Sequence, residues 1–255
     1  EYALNQTIFH YPKPYIALLD GITMGGGVGV SIHGSHRVAT ENTLFAMPET
    51  GIGFYPDVGG TYFLPRLPGK SGYYLGLTGA RIKAADCLAL GIATHTVKRD
   101  ELATLLDQLI NADYTHNAHS TVNRILGAAH KQLADAAQLP QHASEIDRCF
   151  AHTHVEAILA ALAAEETPFC LEAQQALLKK SPTSLKVTLK AMEIAKTLDF
   201  NSAMEQEFQL TKRFLAGHDF IEGIRALLID KDLKPLWQPS ELAQVETKRV
   251  EEYIK

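Results

Sequence analysis

Two carboxylates stand in an apolar stretch that is rich in glycine and proline, and they are the residues best suited to chemistry. The stretch reads TLFAMPETGIGFYPDVGG over residues 43–60 and contains Glu49 and Asp57. A carboxylate surrounded by apolar side chains loses solvation, which raises its pKa and strengthens it as a nucleophile or general base. The Pro-Asp pair also favours turns, so Asp57 alone has a plain structural explanation. The apolar neighbours predicted to desolvate Glu49 are Phe45, Met47, Pro48 and Phe54.

A glycine triplet upstream supplies a possible partner for these acids. The segment MGGGVG follows an apolar run, PYIALLDG, that reads as a buried strand, and it leads into a helix-like segment. Glycine lets the backbone approach a ligand, and the first N–H groups of a helix have no internal partner, so the turn suits a developing oxyanion. The spacing matches neither GxxxxGK[ST] nor GxGxxG. An N–H at Gly26 holding a carbonyl oxygen, with Glu49 beside its carbon, is what acyl chemistry needs.

The elements that must position these residues change in character along the chain. Short apolar runs separated by glycine-rich bends indicate an α/β unit of repeated strand–strand–helix turns over residues 1–110. From there to residue 255 strand signals almost vanish, and apolar residues recur at the spacing of amphipathic helices. We therefore predict an α/β core over 1–110 followed by a helical C-terminal region over 111–255. Asn201 is predicted to cap one of those helices.

Composition excludes several classes of protein. The chain has 255 residues, 46% hydrophobic, with a net charge of −5, which argues against nucleic acid as a partner. No apolar run is long enough for a membrane span, and no signal peptide is visible. Three widely spaced cysteines suggest a reducing compartment. Because the chain begins without methionine, we expect a longer protein.

The histidines do not form a recognisable metal motif. They lie at varied spacing, without HExxH or a cysteine pair, so no metal site is predicted. Those outside the α/β part that could suggest zinc are His116, His119, His130, His142, His152 and His154.

The stretch that begins at Lys13 resembles the crotonase (enoyl-CoA hydratase/isomerase) superfamily. The resemblance lies above all in KPYIALLDGITMGGGVG and FAMPETGIGFYPDVGG. Within the superfamily they resemble most the 3-hydroxyisobutyryl-CoA hydrolase family, as do the later segments SPTSLKVTLKAM and GHDFIEGIRALLIDKDLKPLW. The likeness covers Glu1 to about Trp237. It implies a ClpP/crotonase-like spiral with a helical C-terminal region, and an N-terminal part of that fold lying before Glu1.

The resemblance also implies roles for single residues. Members of the superfamily polarise a CoA thioester carbonyl with two backbone N–H groups, and the middle glycine of the triplet, here Gly26, supplies one. The other comes from a loop that would precede Glu1, so we expect residues 1–255 alone to be nearly inactive. Glu1 matches a glutamate that touches substrate in the hydrolase family. Lys179 and Lys180 are either CoA-phosphate contacts or, more ordinarily, a solvated helix end.

Two positions distinguish the members of the superfamily. Hydratases use two glutamates, and the first would fall at Gly29, so the two-glutamate hydration mechanism is not available here. Asp57 is instead an acid where hydratases usually carry a small residue. The resemblance therefore implies thioester hydrolysis, with Glu49 as nucleophile or as general base. Asp57 would bind the 3-hydroxyl of the acyl group, orient water, or both.

The resemblance thus implies a thioester hydrolase (thioesterase) of valine degradation, a branch of branched-chain amino acid catabolism, acting on 3-hydroxyisobutyryl-CoA. Its 3-hydroxypropionyl analogue is a plausible further substrate. No cofactor is expected, since coenzyme A belongs to the substrate, and no membrane partner is expected. The alternatives are an enoyl-CoA hydratase/isomerase and a catalytically silent fragment that binds or assembles. A homo-oligomer is possible, and the expected location is the cytoplasm in bacteria or the mitochondrial matrix in eukaryotes.

Overall fold

The computed structural model describes residues 1–255. The first half of the chain mixes short strands and helices: α1 (Tyr2–Phe9), β1 (Ile16–Leu19), β2 (Ile22–Met24), α2 (Gly26–Gly29), β3 (His36–Ala39), β4 (Leu44–Ala46), α3 (Gly60–Phe63), α4 (Ser71–Thr78), β5 (Ile82–Lys83), α5 (Ala84–Ala89), β6 (His95–Thr96), α6 (Leu102–Ile110) and α7 (Ala118–Ala129). The second half is helical: α8 (Ala143–Cys149), α9 (Val155–Glu165), α10 (Pro168–Leu178), α11 (Pro182–Ala195), α12 (Phe200–Ala216), α13 (His218–Ile224) and α14 (Thr247–Ile254).

The chain forms two compact units. The first contains Glu1 with residues 3–45 and 81–141, and the second contains Tyr2 with residues 46–80 and 142–255. The predicted boundary at residue 110 divides the chain by type of element and stays a prediction, whereas these units follow the contacts between residues and cross that boundary.

The first unit is built on short strands. Strands β1, β3 and β6 form a parallel sheet with β3 in the middle, where Leu18 pairs with Val38 and Val38 pairs with His95. Strands β2, β4 and β5 form a second sheet, in which β4 and β5 run antiparallel. The short apolar runs that read as strands in the sequence are strands in the structure. Burial is most complete in β3 and β4, where Val38, Ala39, Phe45 and Ala46 are buried, whereas β1 is half-buried apart from Leu19.

Helices α6 and α7 supply the core of the first unit. Their apolar residues recur every three or four positions and pack against β3. The core residues are Val38, Val97, Leu102, Leu105, Leu109, Val122, Ile125 and Leu126. Helix α7 begins after Asn117, whose side chain accepts a hydrogen bond from Ser120 N and so caps the helix.

The second unit is almost entirely helical. Three of its longer helices begin with a side-chain cap: Thr167 for α10, Ser181 for α11 and Asp199 for α12. The prediction of Asn201 as a cap is wrong, because Asp199 lies two residues earlier and accepts from Ser202 N, leaving Asn201 inside α12. The unit's aromatic-rich core contains Phe54, Tyr55, Val187, Ala191, Leu210, Phe214, Val245 and Val250.

No helix of the structure is both long and apolar enough to cross a membrane.

Candidate active site

Glu49 is the first residue of a short 3-10 turn, Glu49–Ile52, that follows β4. Pro48 precedes the turn and its carbonyl accepts a hydrogen bond from Gly51 N at 2.9 Å. The carbonyl of Glu49 accepts another from Phe54 N at 3.0 Å. Both ends of the turn are therefore tied by backbone hydrogen bonds, which fixes the direction in which the Glu49 side chain leaves the backbone.

The Glu49 carboxyl group is buried and incompletely partnered. The residue is only 6% exposed, and its Oε2 atom has no hydrogen-bond partner within the protein. Burial, and to a smaller extent the negative charge of Asp57, raise the pKa of Glu49 to about 8. A buried polar atom without a partner costs roughly 1–3 kcal/mol, so such groups collect where a ligand or reacting atom completes them. The burial expected from the sequence is thus present.

Lys180 is the cation beside this carboxyl group. Its charge lowers the pKa of Glu49, which opposes the effect of burial. Burial in turn lowers the pKa of Lys180 itself. The ammonium Nζ lies only 3.2 Å and 3.3 Å from where Cβ atoms would stand on Gly51 and Gly79, so both glycines leave room for it. The sequence-based interpretation of a solvated helix end therefore describes exposed Lys179 but is wrong for Lys180.

Asp57 lies in a tight turn, half-buried between two fully buried neighbours, Pro56 and Val58. Its carbonyl accepts a hydrogen bond from Gly60 N at 2.7 Å, and its Oδ2 accepts one from the Tyr2 hydroxyl at 2.9 Å. Val58 has a φ of 49°, a left-handed conformation that costs a side chain such as valine roughly 1–2 kcal/mol. Contacts with the rest of the fold must therefore hold the backbone of this turn in its strained conformation.

A second buried glutamate, Glu207 of α12, provides that restraint. It is fully buried, and its carboxylate accepts from Gly59 N at 2.8 Å, Thr61 N at 3.0 Å and the Thr61 hydroxyl at 2.6 Å. Burial raises the pKa of Glu207 to about 8, although these three donors lower it. The carboxyl group thereby anchors the backbone immediately after Asp57 and Val58.

Gly26 and Glu1 come together in the first unit. Helix α2 begins at Gly26, so the N–H of Gly26 stands where a helix offers no internal acceptor. The Oε1 atom of Glu1 lies 2.8 Å from where a Cβ would stand on Gly26. Helix α2 has only four residues, shorter than the sequence pattern suggested. Gly29 at its end is buried, and its carbonyl accepts from buried Asn5 at 3.0 Å.

The four residues predicted from the sequence thus form two groups. Glu49 and Asp57 share one electrostatic environment in the second unit, and Glu1 adjoins Gly26 in the first. Sequence reasoning missed Tyr2, Glu207 and the half-buried position of Lys180. Nothing in the local pattern marks Tyr2 or Lys180, because both reach the site from segments that are distant along the chain. The one usable signal was Glu207, a carboxylate on the apolar face of an otherwise regular amphipathic helix.

Comparisons with known proteins agree with the fold and identify the family. The enoyl-CoA hydratase/isomerase family matches residues 1–254. A 3-hydroxyisobutyryl-CoA hydrolase, mitochondrial, of Rattus norvegicus is 46% identical over the whole chain, which covers 67% of that protein. The protein of the same name from Danio rerio is 47% identical over 96% of the chain and 65% of its own length. The chain thus spans about two thirds of these relatives.

Two solved structures are also similar. A carnitinyl-CoA dehydratase from Mycobacterium thermoresistibile superposes with a TM-score of 0.90 at 41% identity, covering all of this chain and 71% of that one. An enoyl-CoA hydratase from Rhodobacter sphaeroides gives 0.88 at 36% identity, covering 99% and 71%. The fold is therefore of the crotonase type. The chain belongs to the enoyl-CoA hydratase/isomerase family.

Proposed function

We propose that the protein containing this chain hydrolyses acyl-CoA thioesters, with 3-hydroxyisobutyryl-CoA of valine degradation as its main substrate. The observation that carries the proposal is the buried Glu49 carboxyl group, whose Oε2 atom finds no partner within the protein. A carboxyl group with a pKa near 8 is poised for proton transfer or attack near neutral pH. The relatives named as hydrolases of this ester support the substrate.

Glu49 can act by either of two routes. As a nucleophile, a carboxylate oxygen attacks the thioester carbon, the C–S bond breaks, and coenzyme A leaves as the thiolate, which takes a proton from water. A further water molecule then cleaves the mixed anhydride and regenerates the Glu49 carboxylate. As a general base, Glu49 takes a proton from water, which attacks the carbonyl directly. In both routes the N–H of Gly26 donates a hydrogen bond to the oxyanion, and Glu1 binds the substrate. Asp57 is assigned to the 3-hydroxyl group or to the attacking water.

A hydratase is the second candidate, because the two solved structures carry dehydratase and hydratase names. Hydration across a double bond in this family uses two carboxyl groups, and the first would stand at position 29. That position is a buried glycine tied to Asn5. The acid at Asp57 and the missing acid at Gly29 together favour hydrolysis.

We also propose a compartment and an assembly for the protein. Both relatives described above are mitochondrial by name. We place a eukaryotic protein carrying this chain in the mitochondrial matrix and a bacterial one in the cytoplasm. A homo-oligomer, and a preceding segment that completes the fold, remain proposals that size measurements and a full-length chain would test.

The decisive experiment follows thiol release from 3-hydroxyisobutyryl-CoA by the full-length protein and its variants. Glu49→Gln should lower kcat about 10²–10⁴-fold, the range for losing a general base, because the amide can neither attack nor accept the proton. Asp57→Asn should lower kcat/KM about tenfold or more for hydroxylated substrates only, because it weakens a charge-assisted hydrogen bond.

Two results would contradict the proposal. Retained hydrolysis in both variants would remove these residues from the mechanism. Efficient hydration of crotonyl-CoA without thiol release from 3-hydroxyisobutyryl-CoA would favour the hydratase. Oxygen-18 found in the Glu49 peptide by mass spectrometry after turnover in labelled water would establish the nucleophilic route, since only attack of water on the glutamyl carbon of an anhydride carries the label into the side chain.

A further inference from the structure

The hydroxyl group of Tyr2 contacts three other polar groups. It donates to Asp57 Oδ2 at 2.9 Å, and it lies 2.5 Å from Thr211 Oγ1 and 3.2 Å from the Tyr55 hydroxyl. Tyr55 and Thr211 are themselves 2.9 Å apart. Tyr2, Tyr55 and Thr211 thus form a hydroxyl cluster. The cluster connects Tyr2, the Asp57 loop and α12, all of which belong to the second unit.

The direction of the hydrogen bonds in this cluster is largely determined. Tyr55 must donate to the backbone carbonyl of Glu207, at 2.6 Å, because a carbonyl can only accept. The Tyr55 oxygen is then an acceptor for its neighbours. Thr211 can donate to either tyrosine, which leaves the Tyr2 proton directed at the carboxylate of Asp57. A donor held in this way fixes which way the carboxylate faces.

Asp57 is therefore restrained in two independent ways. Glu207 holds the backbone that follows it, through Gly59 N and Thr61 N. Tyr2 holds the side chain itself. The aromatic packing around Tyr55, which is fully buried and stacks on Phe214 at 5.3 Å between ring centroids, keeps the cluster rigid. A turn residue without a further role does not need its carboxylate held in one orientation. A group that recognises a substrate does.

We propose that Tyr2 is a specificity-determining positioning residue, which orients the Asp57 carboxylate so that the enzyme prefers acyl groups carrying a 3-hydroxyl. This inference rests on the proposed function, in which Asp57 binds that hydroxyl. Tyr2 acts through Asp57 and takes no part in breaking the thioester bond. Its loss should therefore change the choice between substrates more than the rate on an unsubstituted one.

The test compares kcat/KM for 3-hydroxyisobutyryl-CoA with that for isobutyryl-CoA, which lacks only the hydroxyl. In the full-length protein, Tyr2→Phe should lower the ratio of the two about tenfold, the size expected for a hydrogen bond to a charged group. Thr211→Val, which removes a donor to the cluster, should lower it less. Tyr114→Phe is the matched control, since it removes a tyrosine hydroxyl bonded to the Leu109 carbonyl of α6 and should leave the ratio unchanged.

A double-mutant cycle separates positioning from general destabilisation. If Tyr2 acts through Asp57, adding Tyr2→Phe to Asp57→Asn should change the ratio little further. An unchanged ratio in both Tyr2→Phe and Thr211→Val, or an equal loss on both substrates, would overturn the inference. A wild-type enzyme that hydrolyses neither ester would instead refute the proposed function, so the two failures are distinguishable.

Discussion

At the scale of single residues, opposed influences act on the pKa of Glu49. Burial and the charge of Asp57 raise it, whereas a backbone hydrogen bond and the ammonium of Lys180 lower it. In the proposed mechanism the carboxylate is the active form, so the charge of Lys180 helps to set the fraction of active enzyme at a given pH. Lys180 is thus the residue through which the pH dependence can be changed without touching Glu49.

We expect kcat/KM for thioester hydrolysis to rise with pH toward a plateau, with an apparent pKa near 8 instead of the usual value for glutamate. Lys180→Met removes the charge that favours the carboxylate, so the midpoint should move to higher pH and activity at pH 7 should fall. A pH–rate profile measures both. Lys179→Met is the control, because Lys179 is exposed. A midpoint that stays in place in Lys180→Met would show that Lys180 does not tune Glu49.

At the scale of elements, the Glu49 turn packs directly against α13. Each contributes one glycine to the contact, Gly53 from the turn and Gly223 from α13. A Cβ on Gly53 would overlap the carbonyl of Asp219, and a Cβ on Gly223 would overlap the carbonyl of Ile52. Asp219 is itself fixed, since its carboxylate accepts from the Ser181 hydroxyl at 2.6 Å and from Gln238 N at 2.8 Å. Helix α13 therefore supports the turn that carries Glu49 by direct backbone contact.

Gly223→Ala should push α13 away from this turn, and we expect a lower melting temperature together with a lower kcat. Alanine elsewhere in a helix usually stabilises by about 0.5–1 kcal/mol relative to glycine. Gly127→Ala in α7 is the matched control, because a Cβ there meets nothing within 4 Å. Thermal unfolding and thiol-release assays on both variants provide the measurement. Equal behaviour of the two would show that the glycine contact is unimportant.

Elements and contacts differ in how far the sequence predicts them. The strands at 16–19, 36–39 and 44–46 follow from short apolar runs, and the pair Glu49 and Asp57 follows from its unusual surroundings. The support for that pair does not follow, since Tyr2 and Glu207 reach it from helices whose local sequences specify only helix. Packing between distant segments fixes those positions, and the periodicity of one segment does not reveal which residues of another segment pack against it.

At the scale of the whole molecule, the three cysteines are all buried: Cys87 in the first unit, Cys149 and Cys170 in the second. Burial raises the pKa of Cys87 and of Cys149 to about 12. Since the thiolate is the reactive form, these groups should be inert in the folded protein.

In residues 1–255 we expect a thiol-reactive chromophore to detect none of the three cysteines at pH 8 under native conditions, and all three after denaturation. The result matters for the activity assay, because all colour that develops with substrate would then come from released coenzyme A. A native signal without substrate would contradict the burial seen here. Repeating the titration on Gly223→Ala would show whether loosening α13 exposes the cysteines of the second unit.

The hydrogen bond between Tyr2 and Thr211 joins positions 209 residues apart. A ribosome releases Tyr2 among the first residues of this stretch and Thr211 long afterwards. A nascent chain can form the strands and the Glu49 turn well before the groups that orient Asp57 exist. Under the proposed role of Tyr2, discrimination between substrates is acquired late in synthesis, once α12 has emerged.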